Sequence, residues 1–129
     1  PSDFAKVIAR HKRGERIQLN VGNLEVVRDV VDVRDAVKAL YLIGEKGEVG
    51  SVYNLCTGKE TSLREILDKM LKISGSKIEV TQDSSKFRKG EETKIIGNPE
   101  RLRRIGWEPR FSLEETLKTV LDYWSHSEP

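Results

Sequence analysis

Apolar positions recur along this chain at two periods, and the places where the period changes mark its elements. Phe4, Val7 and Ile8 share one helical face while Lys6, Arg10 and Lys12 share another, predicting a helix that Ser2 caps and Gly14 stops. The basic run Arg10, His11, Lys12, Arg13 reads as a solvated helix end, where cations suit the dipole, rather than as a phosphate patch. Ile17, Leu19 and Val21 then alternate with Gln18 and Asn20, the period of a half-buried strand over residues 16–22. Gly22 and Asn23 turn the chain into a second short strand near residues 26–31. Asp32 caps the next helix, whose expected apolar face is Val33, Val37, Leu40, Tyr41 and Ile43.

Beyond a glycine-rich stretch at Gly44, Gly47 and Gly50, residues 52–56 read as a strand. Ser62 and Glu65 form a capping-box pattern ahead of a helix that buries Leu63, Ile66, Leu67, Met70 and Leu71. Residues 77–81 alternate as a short strand, 82–93 are polar without period, and 94–96 are extended. Asn98, Pro99 and Glu100 open a short helix. Ser112 and Glu115 repeat the capping box before a last helix striped by Leu113, Leu117, Val120, Leu121 and Trp124, with Trp107 and Trp124 as core anchors. The fold class is α/β, a small sheet with flanking helices over residues 1–129 as a single domain.

Composition narrows the function classes. The 23 basic and 21 acidic residues nearly cancel, so any anion site is local, and no aromatic-basic surface suggests nucleic acid. A single cysteine leaves no internal disulfide, and no long apolar run marks a membrane span; the expected setting is cytoplasmic. His11, His126 and Cys56 make no metal pattern, and no metal is expected.

Three features carry candidate chemistry. Arg28 lies between the apolar pairs Val26-Val27 and Val30-Val31, where a guanidinium needs an anionic partner: a ligand, or Asp29 or Asp32 in a structural ion pair. Asp32 and Asp35 are explained by the start of a helix rather than by acid/base work. Gly44, Gly47 and Gly50 match the G-x-x-G-x-x-G spacing, yet a dinucleotide cradle needs a strand before it and a helix after it, the reverse of the order here.

Several stretches in fixed order resemble the C-terminal part of Rossmann-type, NAD(P)-binding extended short-chain dehydrogenases acting on nucleotide sugars. They are Val21-Gly22-Asn23-Leu24-Glu25-Val26-Val27-Arg28-Asp29 with Asp32-Val33-Arg34-Asp35, Val52-Tyr53-Asn54-Leu55-Cys56-Thr57-Gly58, Thr61-Ser62-Leu63-Arg64-Glu65-Ile66-Leu67, and Gly106-Trp107-Glu108-Pro109 with Ser112-Leu113-Glu114-Glu115. Within that family, which also holds epimerases, the chain most resembles GDP-4-keto-6-deoxy-mannose reductases, with GDP-mannose 4,6-dehydratases next.

The resemblance implies that Arg28 contacts the diphosphate of a nucleotide sugar, a GDP-sugar being favoured. Arg88 would be a second diphosphate ligand and Glu91 an acceptor for a ribose hydroxyl, with Lys89 standing where proline is usual. It also implies an N-terminal dinucleotide-binding Rossmann domain that this chain lacks, NADP or NAD held by the complete parent enzyme and not by this chain alone, and room for a homo-oligomer. The family's Tyr-x-x-x-Lys is missing, since Tyr41, Tyr53 and Tyr123 are followed four residues on by Glu45, Thr57 and Ser127. The chain alone is therefore expected to be catalytically inactive. The other class of reading is a stand-alone module binding a nucleotide diphosphate or a protein. Exposed apolar flanks on the Val33 helix and at Val52 are expected only of a part of something larger.

Overall fold

Two hydrophobic clusters organise the chain, and a set of buried carboxylates ties them together. The computed structural model describes residues 1–87, 90 and 92–127. The elements run α1 (Ser2–Lys12), β1 (Leu19–Val21), β2 (Val27–Arg28), α2 (Val33–Lys46), β3 (Thr61–Ser62), α3 (Leu63–Ser74), β4 (Val80–Gln82), β5 (Lys94–Ile95), α4 (Glu100–Arg104) and α5 (Leu113–His126), with a 3-10 turn at Ser84–Lys86.

The first cluster buries Ala5 and Ile8 of α1, Leu19 and Val21 of β1, Ile66, Leu67 and Met70 of α3, and Leu117 and Leu121 of α5, with Leu24 and Ile78. The three helices pack on one another because each presents an apolar stripe at helical spacing. Trp124 is only half-buried at its edge, where Lys6 Nζ stands 4.5 Å above the ring. The second cluster holds Ala39 and Leu42 of α2, Leu102 of α4 and Trp107, flanked by Val31, Ile43, Tyr53, Leu55 and Ile105.

Among the described residues the strands form two small sheets. β1 and β4 pair in parallel, and β2 lies between antiparallel β3 and parallel β5. The register places Arg28 opposite Thr61 and Ile95.

Several expectations are corrected. Pro1, not Ser2, is the N-cap of α1, and among the described residues no side chain caps that helix. Residues 52–56 make no ladder among the described residues; they are held by Asn54 Nδ2 on the Asn98 carbonyl at 3.4 Å and Arg101 Nη1 on that of Val52 at 3.2 Å. A strand needs a neighbour to pair with, and the described chain brings none to this stretch. Much of the apolar face read for α2 lies outward. Val33, Val37, Leu40 and Tyr41 are 72%, 61%, 62% and 55% exposed, while Asp35, Ala39 and Leu42 point inward. Ser112 with Glu115 completes the expected capping box, whereas at Ser62 the contacts show only the serine half, its hydroxyl accepting from the Glu65 N–H at 3.0 Å.

Candidate functional site

The site is built around the end of β2. Its ladder to β5 is joined by the Val27 N–H donating to the Thr93 carbonyl at 2.7 Å. Arg28 is half-buried, and its Nη1 donates to the carbonyls of Val27 at 2.9 Å and Glu92 at 3.0 Å. Arg28 therefore sits against the segment that leads from Glu92 into β5. Arg88, Lys89 and Glu91 themselves lie outside the described residues.

The start of that segment is latched as well. The Asp83 N–H donates to the Val21 carbonyl at 2.8 Å, and Lys86 Nζ to that of Asn20 at 2.9 Å. Asp83 caps the 3-10 turn by accepting from the Ser85 N–H at 2.9 Å. Gly22 permits this approach, since a Cβ there would lie 3.3 Å from Lys86 Cβ. The polar stretch that the sequence shows without period thus enters from the end of β1 and leaves along β2. Among the described residues both flanks of this stretch are tied down.

Neither carboxylate first considered as Arg28's partner is spent on it in these contacts. Asp29 accepts from the Thr57 N–H at 2.8 Å, the Thr57 hydroxyl at 2.6 Å and the Gly58 N–H at 2.7 Å. Asp32 caps α2 by accepting from the Arg34 N–H at 2.9 Å, takes a two-pronged contact from the Arg34 guanidinium at 2.9 and 2.8 Å, and accepts from Thr116 at 2.7 Å. Arg34 holds the Asp32 carboxyl well below the ordinary carboxylate range, with Thr116 adding to the effect.

Asp35 corrects the view that a helix start accounts for it. Buried, it accepts from the backbone N–H of Arg110 at 3.0 Å and of Phe111 at 3.1 Å, while its carbonyl accepts from Trp107 Nε1 at 2.9 Å. Sequence reading missed these braces because their partners lie far along the chain. No local spacing announces them.

The remaining chemistry is quiet. Tyr41 donates to Glu45 at 2.6 Å, which pushes its phenol up, the opposite of what a proton-transferring tyrosine needs. Burial pushes the Cys56 thiol up, so it is a poor nucleophile. Gly44 falls inside α2 and Gly47 closes it, so the glycine stretch sits at the carbonyl end of a helix, where the dipole disfavours phosphate. The glycine stretch therefore does not make a dinucleotide cradle. Among them no group of three or more His, Cys, Asp or Glu could hold a metal ion, and no helix is long and apolar enough to cross a membrane.

Residues 1–120 match the family model described as GDP-mannose 4,6 dehydratase. The chain belongs to this family. It is 34% identical over 122 residues to the GDP-6-deoxy-D-mannose reductase of Pseudomonas aeruginosa, covering 93% of this chain and 40% of that protein. The solved structure of RMD from Pseudomonas aeruginosa complexed with NADPH is similar at a TM-score of 0.89 and 33% identity, over 96% of this chain and 41% of that one. A UDP-glucose 4-epimerase with UDP-glucose from Thermotoga maritima gives a TM-score of 0.82 at 33% identity, over 95% of this chain and 38% of that one. The chain thus spans about 40% of the length of each of these three relatives. Its fold is the C-terminal portion of the Rossmann-type extended short-chain dehydrogenases, though with two small sheets in place of the one expected.

Proposed function

We propose that this chain is the nucleotide-sugar-binding portion of an NAD(P)-dependent enzyme acting on GDP-sugars, one that reduces a 4-keto-6-deoxy sugar or dehydrates GDP-mannose. The carrying observation is Arg28, half-buried and tied to the carbonyl of Glu92. That contact brings a permanent cation to the stretch from which Arg88 and Glu91 would reach the same ligand. A guanidinium presents about five N–H donors in a planar fork, a geometry that matches phosphate oxygens. In this reading Arg28 and Arg88 hold the diphosphate and Glu91 accepts from the ribose. The base and sugar, and the choice of NADP or NAD, belong to the whole protein, whose soluble substrates suit a cytoplasmic setting.

The chain itself holds neither cofactor nor catalytic tyrosine in this reading, so an upstream dinucleotide-binding domain supplies both. The exposed apolar stripe Val33, Val37, Leu40 and Tyr41, with Val52 at 73% exposure, favours a covering domain over a stand-alone binding module, which would leave that surface in water. The test is an assay of NADPH oxidation with a GDP-4-keto-6-deoxy sugar, run on the full-length polypeptide and on this chain alone. Turnover by the first and none by the second is expected. Absence of both turnover and nucleotide-sugar binding in the full-length protein would overturn the reading.

A further inference from the structure

We propose that Asp29 is a positioning residue for Arg28, and that Thr57 and Gly58 belong functionally to the same diphosphate site; this rests on the reading of Arg28 given above. β2 is only two residues long and Arg28 is its last residue, so its ladder alone fixes the arginine's peptide weakly. The next residue makes up the difference. The Asp29 carboxylate uses one oxygen for the Thr57 N–H and hydroxyl, at 2.8 and 2.6 Å, and the other for the Gly58 N–H at 2.7 Å. Short hydrogen bonds to an ionised acceptor are the strong kind.

The receiving loop is itself rigid. Gly58 has a φ of +78°, a left-handed conformation that helps turn successive N–H groups onto one carboxylate. Thr57 is buried, and its carbonyl accepts from Arg103 Nη2 at 3.0 Å. The Thr57 hydroxyl also accepts from the Lys59 N–H at 3.1 Å. Adjacent residues therefore grip separate segments: Asp29 holds the loop after residue 56, and Arg28 holds Glu92. Anchoring the first sets the direction of the second, which is what a bidentate phosphate contact requires.

The experiment is a double-mutant cycle on the full-length polypeptide, titrating GDP and GMP by calorimetry onto wild type, Arg28→Ala, Asp29→Asn and the double variant. Asp29→Asn keeps one acceptor oxygen but turns an N–H₂ toward one of the three donors. It should weaken GDP by about tenfold, weaken GMP far less, and add little to Arg28→Ala, since coupled residues are not additive. Equal losses for both nucleotides, or full additivity, would make Asp29 a purely structural residue and overturn the inference. If Arg28→Ala weakens GDP while Asp29→Asn does not, the positioning role fails alone; if Arg28→Ala leaves GDP unchanged, the diphosphate reading fails first. Should Asp29→Asn not fold, Thr57→Val decides, because it deletes one donor and keeps the carboxylate. A smaller loss selective for GDP supports the role, and an unchanged GDP affinity overturns it.

Discussion

Asp32 shows how much one carboxylate can do here. It caps a helix, receives a guanidinium in two prongs and reaches α5 through Thr116. Its pKa is held well below the ordinary range, first by Arg34, and those of Glu115 and Asp83 are lowered by the hydroxyls and N–H groups they cap, Ser112 and Ser85. Below a pH of about 4, the ordinary carboxylate value, the unfolded chain binds protons that the folded chain refuses. Stability is therefore complete above that pH and falls as acid approaches the folded-state values. Asp32→Asn should cost about 1–2 kcal/mol at neutral pH, and urea melts should show the gap to wild type narrowing from pH 4 downward. A gap independent of pH would contradict this account. At this scale the cap of α2 was legible in the sequence, but the braces of Asp29 and Asp35 were not. A cap is written in local spacing, whereas Asp35 meets Arg110 and Phe111 through tertiary folding.

The elements were legible wherever periodicity and caps coincided, as in α3 and α5. They were misread where an element depends on something beyond itself. Residues 52–56 carry the composition of a strand but pack by side-chain contacts, and the face of α2 that looks buried by composition is the exposed one. One close contact in this region gives a sharp expectation. A Cβ added to Gly97 would stand 2.5 Å from Cys56 Sγ and 2.6 Å from its Cβ. Gly97→Ala should therefore destabilise by about 1–3 kcal/mol, and the same change made in a Cys56→Gly background should cost much less in thermal melts. An equal cost of Gly97→Ala in both backgrounds would mean that the clash is not with Cys56.

For the whole molecule, the exposed apolar stripe of α2 and the short span relative to its relatives bear on the same point. Val37→Lys with Leu40→Lys should leave the isolated chain's stability within about 0.5 kcal/mol, as exposed positions usually allow. In the full-length protein the same pair should lower the melting temperature by several degrees, because burying two unpaired charges against a covering domain is costly. Equal behaviour in the two contexts would leave the stripe without a covering domain. In the whole protein Arg28 is proposed to hold a nucleotide diphosphate. That proposal is tested most directly by GDP titration of the full-length protein with Arg28→Ala and Arg28→Lys. The account predicts a loss on the order of a hundredfold for alanine, corresponding to about 3 kcal/mol, and a smaller loss for lysine, which keeps the charge but not the fork. Unchanged affinity in both variants would contradict it.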